Sequence, residues 1–235
     1  MICPGFAFSK KEFEWQSKEV QAVALYANFN KIPFKFFENP SEVPKDWIPV
    51  GPVDWCEEIL GYTVKPNYYP SFLKDYLFRK VIETNYIVNP CFVKPADKHK
   101  RFNGVKFPIE ETDLSEEDLK LYSPPYYCSE LVSFDCEWRC YIHKGMIIRC
   151  YQYKGMEELH INMPDLPIPN DWYGTLDFGL MFDPQRQLRF GLVEAHPPYA
   201  IGWYGNMSLT NISSYVSLLV EGWNWIKNGN WEKFR

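Results

Sequence analysis

The chain has 235 residues, of which 46% are hydrophobic, 18% aromatic and 23% charged, a composition that supplies a full-sized core and excludes a disordered segment. Its net charge of -5 argues against general nucleic-acid binding, which needs a basic face, and no run approaches the roughly 20 apolar residues of a membrane-spanning helix. Seven cysteines with no C-x-x-C pair fit buried thiols better than disulfides or zinc ligands, and the N-terminal stretch lacks the pattern of a secretory signal, so the expected location is cytoplasmic.

In chain order, Ser9 to Glu12 matches a capping box, and Phe13, Trp15, Val20, Val23, Leu25, Tyr26 and Phe29 predict a helix ending near Asn30. Pro33 blocks its continuation. IPFKFFE reads as a strand, the proline-rich ENPSEVPKDWIPVGPVDW as a loop, and Val53 to Leu60 as a short helix. SFLKDYLFRKVI, with apolar residues at 72, 73, 76, 77 and 81, predicts a further helix capped by Ser71. From residue 86 the rhythm changes to β-rich runs: YIVN, CFVKP, YCSELVSFD, EWRCYIHKG, MIIRCYQYKG, TLDFGLMFD and LRFGLVEAH. A helix from about Asn211 to Lys227 closes the chain. The expected class is α/β (α+β), with a small α/β unit over residues 1–85 and a β-rich part over 86–235.

Two hairpins have readable turns, Lys144-Gly145 and Asp183-Pro184. Alternation puts Glu137, Arg139, Tyr141 and His143 on one side of the first. Antiparallel pairing of 177–183 with 188–194 brings Asp177 against Glu194, two carboxylates that repel unless a cation lies between them. The stretch FVKPADKHKRFNG, residues 92–104, is a basic exception in an acidic chain. It reads either as a solvated turn or as a phosphate site, with Lys94 at a strand end and Gly104 allowing close backbone approach. A nucleoside triphosphate enzyme needs phosphate cations, hard oxygen ligands for magnesium and an apolar slot for the base. Lys94, the Asp177 and Glu194 pair, and a strand at SELV meet those needs.

Taken together, the lysine strand in FVKPADKHKRFNG, the linker SELVSFDCEWRCYI, the aspartate in LDFG and the acidic end of LVEAHPPYAIGWYG resemble the ATP-grasp superfamily, in detail a clade of small bacterial and phage ATP-grasp proteins. The resemblance takes in YPSFLKDYLFRKV and runs from about residue 50 to 206. It implies an ATP-grasp fold and ATP-dependent ligation of a carboxylate to an amine through an acyl phosphate, releasing ADP and phosphate. The implied substrates are small-molecule, peptide or protein carboxylates and amines, with no membrane or nucleic-acid partner.

Carried to this chain, the resemblance implies that Lys94 contacts the nucleotide phosphates, with Lys100 or Arg101 as helpers from a covering loop. It implies that Glu130 and Val132 lie near adenine, Glu137 serves as a ribose or supporting acid, and Arg139 faces the transferred phosphoryl group, with Arg79 a weaker candidate for the same region. Asp177 and Glu194 are implied magnesium ligands. Where the family commonly has Glu-x-Asn, this chain has Glu194-Ala195-His196. His196 then contacts phosphate, favours a softer ion such as Mn2+, or marks a catalytically weakened nucleotide-binding or partner-binding module. A nucleotidyl-transfer ligase with a covalent Lys94 fits less well, because KPAD lacks the aspartate two places on and the glycine after it. His143 and His160 read as ordinary surface or half-buried residues.

Overall fold

The computed structural model describes residues 3–11, 17–109, 122–155, 159, 161, 163–183 and 185–234. The chain opens on a parallel sheet of order β2-β1-β3, formed by Phe6–Ser9 (β1), Phe34–Phe37 (β2) and Ile48–Val50 (β3). Phe6, Ala7 and Phe8 are fully buried, as a central parallel strand covered on both faces must be. Helix α1 (Lys18–Phe29) connects β1 to β2. Ser9 ends β1 and Lys10 and Lys11 after it are helical, as expected, but the single helix expected to run to Asn30 is corrected: Ser17 is extended (ψ 126°) and α1 starts at Lys18, while Glu12, Phe13 and Trp15 lie outside the described residues. The proline-rich loop also hides β3, whose Pro49 is tolerated because β3 is an edge strand. Helix α2 (Val53–Leu60) forms where expected and ends at Gly61, whose φ of 84° favours glycine.

The helix expected over SFLKDYLFRKVI is also corrected. Only Ser71–Tyr76 winds, as a 3-10 segment broken at Leu73 (φ -112°), and Phe78 takes a positive φ of 48°. Val81–Thr84 then extends as β4, because it pairs with Tyr126–Ser129 (β7) in a second sheet of order β4-β7-β5-β6. The other members are Cys91–Pro95 (β5) and Val105–Phe107 (β6). YIVN is the turn between β4 and β5 rather than a strand, and SELV is not a strand because β7 stops at Ser129. Strand β4 precedes residue 85 yet belongs to this second sheet.

The third sheet, of order β11-β10-β8-β9, contains both expected hairpins: Glu137–His143 (β8) with Met146–Lys154 (β9), and Gly174–Phe182 (β10) with Leu188–His196 (β11). Lys144 and Gly145 have φ of 52° and 70°, as a type I′ turn requires. In the second turn Asp183 Oδ1 accepts from the Gln187 amide at 2.8 Å; Pro184 lies outside the described residues, as does His160. Helix α3 (Leu209–Lys227), capped by the Ser208 hydroxyl, packs on β8 and α1, where Tyr215 donates to Glu19 at 2.8 Å. One large core joins the first sheet, the third sheet and α3, and a small separate core of Cys91, Val93, Phe102, Tyr126 and Cys128 serves the second sheet. The architecture is mixed α and β, with a cleft between the second and third sheets.

Candidate active site

Asp177 sits in the middle of the third sheet, opposite Arg139 on β8 and Glu194 on β11. The pairing slips after Asp177, so Leu192 faces Phe178 in the core while Glu194 faces Asp177 in the cleft, leaving Val193 as the extra residue of a bulge. His196 follows two residues later on the same face. Gly174 makes room there, since a Cβ at this position would stand 2.3 Å from the His196 carbonyl.

Arg139 grips Asp177 in two parallel bonds, Nε to Oδ1 at 2.8 Å and Nη2 to Oδ2 at 2.7 Å, and its remaining nitrogen reaches the Ile201 carbonyl. Tyr204 covers the guanidinium at 5.1 Å and stacks on Tyr153. Burial alone would lower the Arg139 pKa, but Asp177 outweighs it and raises it. Tyr153 donates to Glu137 at 2.5 Å, and its phenol is raised by burial and by the nearby Asp177 and Glu137 charges.

From the opposite sheet, Lys94 on β5 forms an ion pair with Glu194 and lies 4.5 Å over the Tyr68 ring. Burial pushes the Glu194 carboxyl up, yet Lys94 and His196 hold it well below the ordinary carboxylate range. His196 Nε2 is 3.3 Å from Glu194 Oε1 and 3.8 Å from Asp177 Oδ2, buried and without a regular hydrogen bond. Donor atoms of Asp177, Glu194 and His196 lie within 4.8 Å of one another. Two carboxylates and an unpartnered imidazole nitrogen at this spacing fit a divalent cation.

Two cavities meet at this point. The larger, about 360 Å³, is lined by Tyr69, Arg79, Phe92, Leu131, Val132 and Phe134. The smaller, about 230 Å³, is lined by Tyr68, His99, Arg139, His196, Tyr199 and Tyr204. Lys94 and Glu194 line both.

The structure therefore brings together Lys94, Arg139, Asp177, Glu194 and His196. Glu130, Val132 and Glu137 line the larger cavity, and Glu130 also accepts from the Lys80 amide at 2.8 Å, fastening the linker. Lys100 lines the smaller cavity. Arg101 lines neither: it donates to Ser123 Oγ at 2.7 Å and pairs with Asp97 at 3.1 Å. Arg79 bridges the two sheets, from Ser129 Oγ on β7 at 2.9 Å to the Leu192 and Val193 carbonyls on β11 at 2.6 and 3.1 Å. Sequence reasoning missed Tyr68, His99 and Tyr153. The Tyr151/Tyr153 alternation on β9 was a readable signal for one of them, whereas His99 stands inside Lys98-His99-Lys100-Arg101, a run that reads either as a solvated turn or as a phosphate site.

Two sheets closing on a cleft that holds a strand lysine on one side and paired strand acids on the other define an ATP-grasp arrangement. A family model described as an ATP-grasp domain, family 2 of its clade, matches residues 76–212. The chain belongs to that family. No curated protein matches it. Among solved structures it is similar to the ATP-grasp ligase PsnB complexed with minimal precursor, at 12% identity over 92% of this chain and 100% of that one, TM-score 0.47. It is also similar to N5-carboxyaminoimidazole ribonucleotide synthetase from Thermotoga maritima, at 11% identity over 92% and 76%, TM-score 0.46. A third is the Chryseobacterium gregarium RiPP-associated ATP-grasp ligase in complex with ADP and a leader and core peptide, at 10% identity over 92% and 97%, TM-score 0.44.

Proposed function

We propose that this protein is an ATP-dependent carboxylate-amine ligase that works through an acyl phosphate and releases ADP and phosphate. Family membership supports ATP as the nucleotide. The observation that carries the reading is the meeting of two cavities at Lys94 and Glu194, beside Arg139, Asp177 and His196. The larger cavity takes the adenosine end, with Val132 and the Glu130 region against the base and Glu137 toward the ribose. The phosphates reach Lys94, with Lys100 available from the loop above, and the reacting groups sit at the mouth of the smaller cavity.

In this reading Arg139 and Lys94 stabilise negative charge as phosphoryl transfers to the carboxylate. Asp177, Glu194 and His196 hold the divalent ion, which when bound neutralises phosphate charge. The imidazole tilts the donor set toward Mn2+ while leaving Mg2+ usable, because nitrogen is a softer ligand than the amide oxygen common in the family. His196 also supports a second reading, a module that binds nucleotide and a partner without ligating.

Calorimetric titration with a non-hydrolysable ATP analogue, with and without Mg2+ or Mn2+, tests the nucleotide site in wild type and Lys94→Ala. Phosphate release on adding carboxylate and amine mixtures then separates ligase from binder. Absence of analogue binding by the wild type removes both readings.

A further inference from the structure

The lining of the smaller cavity includes a buried histidine that the ligase reading does not employ. His99 is only 3% exposed, yet its Nε2 has no hydrogen-bond partner, and the residue lines the cavity. A buried polar atom left without a partner costs free energy unless something supplies one. The side chain is held in place: its ring meets Tyr68 edge-on at 5.2 Å, and the next residue, Lys100, donates its amide to the Tyr68 hydroxyl. Tyr68 in turn lies under Lys94 and against His196.

A second observation comes from the first sheet. Its order β2-β1-β3 places a topological switch point between β1 and β3, and open parallel sheets bind ligands beyond the carboxyl ends of their strands at such points. Strand β3 ends at Val50, and Val53, the first residue of α2, lines the same cavity. The cavity thus lies between the phosphate end of the cleft and the ligand edge of the N-terminal sheet.

The cations at its mouth already have partners in the ligase reading, Lys94 and Arg139 being directed at phosphate and acyl oxygens. Beyond them the lining offers the buried, unpartnered Nε2 of His99. Burial is the main cause that drives the His99 pKa down to about 3, with Lys94 and Lys100 nearby adding to it, so the ring is neutral at ordinary pH. A neutral imidazole has one N–H and one lone pair, and with Nε2 as the lone-pair nitrogen its complement in the cavity is an N–H donor.

We propose that the smaller cavity receives the amine substrate, a small primary amine or the amino end of a peptide, with His99 Nε2 accepting a hydrogen bond from the amine nitrogen. This rests on the ligase reading. In the joining step the amine lone pair forms the C–N bond to the acyl carbon. The C–O bond to phosphate breaks with its electron pair going to phosphate, and the surplus nitrogen proton leaves on phosphate. His99 orients the nitrogen for that attack.

The test is calorimetry at saturating non-hydrolysable ATP analogue and Mg2+, on wild type, His99→Gln and His99→Leu. Glycinamide and L-alaninamide probe a free amine, and N-acetylglycine and N-acetyl-L-alanine probe a free carboxylate. The expected result is that wild type binds the amides, that His99→Leu binds them at least tenfold more weakly, and that His99→Gln, which keeps an acceptor, stays within about threefold. Nucleotide binding by each variant reports its fold. Amides that do not bind the wild type, or that bind His99→Leu equally well, overturn the assignment, as does a His99 effect confined to the acetylated acids. If the nucleotide analogue itself does not bind the wild type, the ligase reading fails and takes this inference with it.

Discussion

The two sheets that face each other across the cleft are built differently. The third sheet shares one large core with the N-terminal sheet and α3, and it carries Arg139, Asp177, Glu194 and His196 on regular paired strands. Among the described residues the second sheet has a core of five buried side chains, and it carries Lys94 together with the 96–104 loop. The proposed metal ligands and the buried Arg139–Asp177 pair stand on the heavily packed side. Lys94, the proposed phosphate lysine, stands on the lightly packed side, joined to the other by Arg79 and by its own ion pair with Glu194. Local stability scales with buried apolar contact, so opening of the cleft is expected to involve the second sheet first.

The sharpest way to break this contrast is Arg139→Met, which strands a fully buried Asp177 charge in the packed sheet. Urea unfolding should show a loss of about 3–5 kcal/mol, and a loss under about 1 kcal/mol would mean that the pair is not anchored in the core as described. Lys94→Ala leaves Glu194 without its counter-charge and should also cost stability, though less than Arg139→Met, because Glu194 is less buried than Asp177 and keeps His196 beside it; it should weaken nucleotide binding roughly 30-fold, about 2 kcal/mol. Unchanged affinity in the folded variant would take the phosphates away from β5.

A pH series probes the loop that docks on the cleft. The folded pKa of His99 is depressed from 6.5 to about 3, so the unfolded chain binds the proton first as pH drops. Its contribution is therefore complete above about pH 6.5 and lost as pH falls toward 3, by at most about 1.4 kcal/mol per pH unit, and His99→Gln should flatten that part of the curve. His196→Asn should cut any preference for Mn2+ over Mg2+ about fivefold in competition titrations; an unaltered ratio would place the imidazole outside the metal shell. The smallest effect is reserved for Arg101→Gln, which should change nucleotide affinity less than twofold because this side chain is turned toward Ser123 and Asp97. A large loss would show that the loop rearranges when nucleotide binds.

The third sheet was the most legible part of the chain. Its strands are long, its turns carry Lys-Gly and Asp-Pro signals, and its alternation foretold that Asp177 meets Glu194. Short strands were harder: Ile48–Val50 contains a proline, and Val81–Thr84 continues an apolar helical pattern that only pairing with β7 overrides. The buried state of His99 was hidden for a related reason. Its neighbours Lys98 and Lys100 are exposed while it turns inward, a local reversal that depends on Tyr68, distant in sequence, and on the positive φ of Lys100.

With the phosphates at Lys94 and the metal at Glu194, as proposed, the Lys94–Glu194 ion pair couples nucleotide and metal binding thermodynamically. Each side chain is the other's counter-charge in a largely buried setting. A phosphate that draws Lys94 away leaves Glu194 uncompensated, and a divalent ion that engages Glu194 leaves Lys94 needing an anion. Either ligand alone must therefore offset the loss of the pair, whereas the two together replace both halves of it. Nucleotide affinity should rise with metal concentration, and metal affinity with nucleotide, by the same factor.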